Sequence, residues 1–269
     1  MPCRQSPSAC WPRRTPRKAS RPCWSGAPAP SRDAKAIAPL LILLPGLDGS
    51  GLLFEPLCKA LAGRLDCQVL GYPTVAPQDY DSLTEWAEQQ LPKDRPFILL
   101  GESFSGPVAL KLALRRPPGL RALVLACSFA HRPRPGIALL EPLIRRMPLD
   151  AVPGWLLRFA LLGANAPAST LAALRHSLSL APPACLASRL RAVATVDLRA
   201  RLGELQVPLL YLQARQDRLV PARAARAMAQ RTRVFGLVRL DDPHALLQAH
   251  PLASAEAIVA FSRLHLGVN

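Results

Sequence analysis

The sequence predicts an α/β fold with a mostly parallel central sheet and helices on both faces, and three observations carry that expectation. From about residue 37 onward, apolar runs of strand length alternate with helical segments, which argues one α/β unit. The chain has 269 residues, 50% of them hydrophobic, enough to bury a large core. Residues 97–114, FILLGESFSGPVALKLAL, run an apolar segment into a tight turn and then into an amphipathic helix carrying Leu110, Ala113 and Leu114.

The elements follow in order. A strand is expected at 39–44, stopped by Pro45, then a Gly-rich loop and a helix at 52–62. A strand at 67–72, a helix at 80–91, a strand at 97–102, a helix at 105–115 and a strand at 120–127 continue the rhythm. Residues 131–202 interrupt it with helical patches around 137–146, 154–162, 168–178 and 184–195, separated by Pro and Gly. The alternation resumes with strands at 207–214 and 234–240, and a helical stretch ends the chain. No apolar run reaches the roughly 18 residues that a membrane helix needs, so no membrane span is expected.

Residues 1–36 have a different character, with eight Lys or Arg against the single Asp33 and prolines at 12, 16, 22, 28 and 30. They lack the apolar core of a secretory signal, and the prolines break any amphipathic transit helix, so a disordered basic Pro-rich tail is expected. A basic tail with no aromatic-and-basic fold behind it does not make a nucleic-acid partner. The seven cysteines form no C-x-x-C pair; Cys58, Cys67 and Cys127 lie in apolar elements, where cysteine acts as a small hydrophobe. A reducing cytoplasm and no structural metal are expected.

Within residues 97–114, Ser103 stands at the apex of the turn. A serine hydroxyl is a poor nucleophile until it is raised on a strained turn, set near a base and faced by N–H groups that receive the developing oxyanion. Strand and helix pack so closely around such an apex that only small residues fit two positions either way; Gly101 and Ser105 fill those places. Ser105 departs from the usual G-x-S-x-G, with Gly106 following at once. In this arrangement an acid and then a histidine follow the serine, each after a late strand. Asp217 lies just past the strand at 207–214, and His244 follows the strand at 234–240. Asp241 and Asp242 are rival acids close to His244. His250 and His265 fall in the C-terminal helical stretch, and His131 and His176 in the intervening helical region, where nothing in the sequence singles them out.

The loop Pro45-Gly46-Leu47-Asp48-Gly49-Ser50-Gly51 after the first strand is placed for the second half of an oxyanion hole, its glycines leaving the backbone free to turn N–H groups inward. A phosphate loop would need a lysine that is missing, and the glycine spacing of a dinucleotide fingerprint is not met, so no cofactor is expected.

Together the turn, the Gly-rich loop, the acid loop and the histidine loop resemble the α/β-hydrolase superfamily over residues 37–266. The resemblance implies Ser103, His244 and Asp217 as the catalytic triad, and the backbone N–H groups of Leu47 and Phe104 as the oxyanion donors. It further implies a core of residues 37–130 and 203–269 and a helical cap at 131–202, closing an apolar acyl pocket over Ser103. LPGLDGSG and GESFSG look like the matching segments of phytyl ester synthase-type acyltransferases. The cap has ten arginines, at 132, 134, 145, 146, 158, 175, 189, 191, 199 and 201, against Glu141, Asp150 and Asp197. They are either solvated decoration or a docking surface for an acidic acyl carrier, as in the architecturally similar pimeloyl-carrier-protein methyl ester esterases. The expected activity is hydrolysis of a carboxylic ester with an apolar acyl chain through an acyl-enzyme on Ser103. Transfer of the acyl group to an alcohol, or action on a carrier-linked ester, remain as alternatives.

Overall fold

The computed structural model describes residues 40–136, 142 and 152–266. Six strands, β1 (Leu40–Leu44), β2 (Asp66–Val69), β3 (Phe97–Glu102), β4 (Leu120–Ala126), β5 (Leu209–Ala214) and β6 (Phe235–Leu240), form one sheet in the order β2-β1-β3-β4-β5-β6. Every neighbouring pair is parallel. The helices of the core are α1 (Glu55–Leu61), α2 (Tyr80–Gln89), α3 (Gly106–Leu114), α7 (Arg223–Ala229), α8 (Leu246–Ala249) and α9 (Pro251–Leu266). Between β4 and β5 lie α4 (Gly154–Leu157), which passes into a π-helix at Arg158–Leu162, then α5 (Ala168–Ser179), α6 (Pro183–Thr195) and a 3-10 helix at Arg199–Glu204.

The inner strands are apolar along their length because both faces are covered. Leu40, Ile42, Leu44, Phe97 and Leu99 pack to one side with residues of α2, α3 and α7, whereas Leu41, Leu43, Ile98 and Leu100 pack to the other with residues of α1 and α9. The edge strand β2, DCQV, is largely exposed and carries Asp66 and Gln68, which discourages pairing with another sheet. Local chemistry sets the helix starts: the Asp79 side chain accepts the Ser82 amide at 2.8 Å to cap α2, and Pro107 sits in the first turn of α3, where a missing N–H costs nothing.

Strands and helices fall where the alternation puts them, with differences at the ends. β2 stops at Val69 because the chain then turns towards the Gly-rich loop, the Tyr72 amide donating to the Gly49 carbonyl at 2.7 Å. β5 starts at Leu209, one residue after Pro208. Helix α7 is an element that the sequence pattern does not single out. The helical patches expected at 154–162, 168–178 and 184–195 are present; the one at 137–146 and the tail at 1–36 lie outside the described residues, apart from Pro142. No helix among the described residues is long and apolar enough to cross a membrane.

The order of the sheet decides where chemistry can sit. From β1 the chain goes to β2 on one side and then to β3 on the other, so the loops leaving β1 and β3 diverge at a switch point, the place where ligands bind in open parallel sheets. Leu44 pairs with Gly101, so the Pro45–Gly51 loop and the turn at Ser103 emerge side by side.

Candidate active site

Ser103 follows β3 directly, at φ +47°, in the left-handed region that a side chain adopts at a cost of order 1–3 kcal/mol. Packing holds it there. A Cβ on Gly101 would lie 2.7 Å from the Ser105 carbonyl and 2.9 Å from the Ala109 Cβ, and one on Gly106 would lie 1.7 Å from the Ser128 Oγ. The close approach expected at position 105 therefore falls at Gly106. Ser105 instead ties three segments together, because its fully buried hydroxyl donates to the Pro45 carbonyl and accepts from the Tyr72 hydroxyl at 2.5 Å. The Ser128 hydroxyl donates to the Ser103 carbonyl at 2.5 Å, and the Tyr211 hydroxyl fixes the Ser128 carbonyl at 2.6 Å.

The loops after β5 and β6 bring the other two side chains in. Ser103 Oγ lies 2.8 Å from His244 Nε2, and His244 Nδ1 lies 2.8 Å from Asp217 Oδ2. The second Asp217 oxygen, Oδ1, accepts the Leu219 and Val220 amides, each at 2.8 Å. An ionised carboxylate only accepts, so Nδ1 carries the proton and Nε2 is left to receive one from the Ser103 hydroxyl. The side chains of His244 and Asp217 are 6% and 4% exposed, a setting in which charge-assisted hydrogen bonds strengthen.

The rival acids are engaged elsewhere. Asp242 accepts from His250 Nδ1, and Asp241 is exposed and accepts from Gln216 Nε2 at 3.2 Å. Of the remaining histidines, His131 bridges to Asp197, His176 is exposed on α5, and His265 packs on the Phe261 ring 4.6 Å away. Leu47 is half-buried in the β1 loop, and Phe104, buried next to Ser103, stacks on Tyr80 at 5.0 Å.

Several buried polar groups here carry no signal in the sequence. Glu102 packs beneath the turn, accepts from Gln248 Nε2 at 3.0 Å, and is pushed up to about 7 by burial. Asp48 Oδ2 accepts the Ser50 amide at 2.9 Å, the Ser50 hydroxyl at 2.6 Å and the Ser177 hydroxyl of α5 at 2.5 Å. Cys127, at the end of β4 with φ +46°, has its thiol within 4.8 Å of the Asp217 and His244 donor atoms. Burial pushes that thiol well above its usual range, and Asp217 and His244 are spent on each other, so this trio reads as the surroundings of a proton relay rather than a metal-ligand set.

Arg189 corrects the reading of the insertion as surface-borne charge: it is 2% exposed, and its guanidinium reaches the β1 loop. Other arginines of the insertion are held locally. Arg199 pairs with Asp197, Arg201 with Glu204, and Arg175 donates to the Val152 carbonyl. Arg132 and Arg191 are exposed, and Arg145 and Arg146 lie outside the described residues. The leucines of the insertion are mostly spent on packing: Leu157, Leu162, Leu174 and Leu178 bury against Leu53 and Ala245, and Leu186 and Leu190 against Leu47.

Known proteins resemble this chain in sequence and in fold. Polyketide synthase ThaQ of Burkholderia thailandensis is 31% identical over 83% of the chain, which spans only 12% of ThaQ's own length. A pimeloyl-[acyl-carrier protein] methyl ester esterase of Aeromonas hydrophila is 29% identical over 83% of the chain and 95% of the esterase. Among solved structures, the enol-lactonase of Burkholderia xenovorans LB400 superposes with a TM-score of 0.75 at 19% identity, covering 85% of this chain and 93% of that one, a likeness of fold. The sequence model of the family described as serine aminopeptidase, S33 matches residues 74–235, a span that includes Ser103 and Asp217 and ends before His244. The chain therefore belongs to that serine aminopeptidase, S33 family of α/β-hydrolases.

Proposed function

We propose that the chain hydrolyses carboxylic esters through an acyl-enzyme on Ser103, and the observation that carries this is the unbroken relay from Ser103 Oγ to His244 Nε2 and from His244 Nδ1 to Asp217, each step 2.8 Å. Ser103 Oγ attacks the acyl carbon as His244 Nε2 takes its proton; the imidazolium then protonates the leaving alcohol. Water enters and gives a proton to His244 as its oxygen attacks the acyl carbon; the Ser103 Oγ–carbon bond then breaks, the imidazolium returns the proton to Ser103 Oγ, and the acyl group leaves as the acid. Asp217 orients the ring and stabilises its positive charge throughout. The Leu47 and Phe104 N–H groups receive the oxyanion; what supports them is their place in the two loops that emerge side by side from β1 and β3. Helices α4 to α6 act as the cap. The apolar contacts of the insertion with Leu47 of the oxyanion loop and with Ala245 next to His244 support that role and an apolar acyl chain. A cytoplasmic setting belongs to the same reading, supported by the free thiols of Cys58, Cys67, Cys127 and Cys185.

A fluorophosphonate probe is expected to label wild type at Ser103 and to leave Ser103→Ala unlabelled, and p-nitrophenyl esters of increasing acyl length then report the pocket. Labelling that persists in Ser103→Ala refutes the assignment. Supplying an alcohol alongside water decides between hydrolysis and acyl transfer by the product formed.

A carrier-linked ester is a second reading, favoured by the pimeloyl-[acyl-carrier protein] relative, which the chain spans almost end to end, and by exposed Arg132 and Arg191 on the insertion. Arg132→Glu with Arg191→Glu is expected to raise KM for a carrier-linked ester and to flatten its salt dependence, because attraction between exposed charges fades as the Debye length shrinks from about 10 Å at 0.1 M salt to about 3 Å at 1 M. Unchanged KM returns the substrate to a small free ester.

A further inference from the structure

Helix α6 turns Cys185, Leu186, Leu190 and Val193 to the interior, and Arg189 falls inside that stripe, 2% exposed. A guanidinium out of water is tolerated only where its donors are used. Arg189 Nε donates to Gln78 Oε1 at 2.7 Å, Nη1 donates to the Leu47 carbonyl at 2.6 Å, and the guanidinium lies 5.4 Å from the centre of the Tyr72 ring. Gln78 is itself fixed, 1% exposed, its amide donating to Ser188 Oγ at 2.9 Å and its Nε2 to the Pro73 and Val75 carbonyls. The fit at the loop is close: a Cβ on Gly49, whose φ is +73°, would lie 2.3 Å from Nη1.

These contacts bracket one peptide segment. Two residues before Leu47, the Pro45 carbonyl is held by Ser105 beside the nucleophile; after it, the Leu47 carbonyl is held by Arg189. Within the segment the Gly49 amide donates to the Gly46 carbonyl at 3.1 Å and the Asp48 carboxylate accepts from Ser50 and Ser177, while the carbonyl of Leu47 between them is taken up by Arg189.

We infer that Arg189 is a positioning residue for ester hydrolysis: it reaches from the insertion into the core and holds the Leu47 carbonyl, fixing the backbone of that residue so that the N–H on its other side faces the oxyanion formed at Ser103. The inference rests on the reading of Leu47 as an oxyanion donor. It makes the insertion part of the catalytic geometry, since α6 supplies the hydrogen bond that the Leu47 carbonyl receives.

The test compares wild type, Arg189→Met and Arg189→Lys on p-nitrophenyl butyrate, with active serines counted by fluorophosphonate titration. For Arg189→Met, kcat per titrated serine is expected to fall on the order of 10²-fold, the effect of a misplaced oxyanion donor, with KM within about threefold. Arg189→Lys, which keeps the charge and one donor, is expected to fall about tenfold, and affinity for a trifluoromethyl ketone, whose adduct carries the oxyanion, to fall in step with kcat in both variants. A purely structural arginine would lower the fraction of titratable enzyme and leave kcat per serine unchanged; that result, or a raised KM at unchanged kcat, overturns the inference. If Arg189→Met fails to fold, the same two readouts on Arg189→Lys decide. Wild type that neither labels at Ser103 nor turns over ester removes the underlying reading and the inference with it, whereas an active wild type with unaffected variants removes the inference alone.

Discussion

Three acidic side chains lie within reach of the histidine loop in sequence, and their hydrogen bonds separate them. Asp217 offers one oxygen to two backbone amides and the other to His244 Nδ1, so its carboxylate is locked in the orientation a relay needs. Asp242 is equally buried but spends its proton acceptance on His250, whose ring is 61% exposed. Asp217→Asn is accordingly expected to lower kcat on the order of 10⁴-fold, because an amide in that place favours the wrong imidazole tautomer. Asp242→Asn is expected to stay within about tenfold of wild type, since the relay geometry is untouched. Steady-state rates on p-nitrophenyl butyrate check both, and a crippled Asp242→Asn beside an active Asp217→Asn would reverse the assignment.

At the scale of elements, the turn between β3 and α3 works only because α3 lies almost in contact with the chain leaving β4. A methyl on Gly106 meets Ser128 Oγ at 1.7 Å and Ser128 Cβ at 2.7 Å, so Gly106→Ala forces the two apart. Overpacking of this kind costs about 1–3 kcal/mol, and it also pulls on the Ser128 hydroxyl that holds the Ser103 carbonyl. Lower Tm and lower kcat are expected together in Gly106→Ala, with Ser128→Gly in the same chain recovering part of the Tm; urea and thermal unfolding of the single and double variants check this. The strand-turn-helix unit is legible in the sequence because periodicity and small residues are local signals, and the meeting of Ser103, His244 and Asp217 because they follow fixed elements in a fixed order. Arg189 is not legible as a buried group, because its partners Leu47 and Gln78 are more than 100 residues away in the chain. The usable hint is its place in the apolar stripe between Leu186 and Leu190, where a charge needs a reason. Ser105 reads as merely small because its two hydrogen bonds close only when β1, β3 and the Tyr72 segment come together.

For the whole molecule, the carboxyl ends of β1, β3 and β5 gather buried acids: Asp48, Glu102 and Asp217 converge near Ser103, and in the folded state Glu102 carries the cost. Burial lifts it from 4.5 to about 7, with the nearby Asp48 charge adding to the rise, and with the Gln248 hydrogen bond and the His244 charge acting against it. The sign follows from proton counting. Between about pH 4.5 and about pH 7 the folded chain holds a proton on Glu102 that the unfolded chain has released, so stability from this group is present in full below pH 4.5 and is lost as pH rises through 7. The loss amounts to about 3 kcal/mol, a large share of a domain's net stability. Glu102→Gln keeps a carbonyl oxygen for Gln248 Nε2 and has nothing to ionise, so its stability relative to wild type is expected to rise with pH and level off above about 7. Urea unfolding at half-unit steps from pH 5 to 8 measures that difference directly. A difference that stays constant across the range would mean that Glu102 ionises as an ordinary carboxyl, and that the ends of the strands around Ser103 admit far more water than their packing implies.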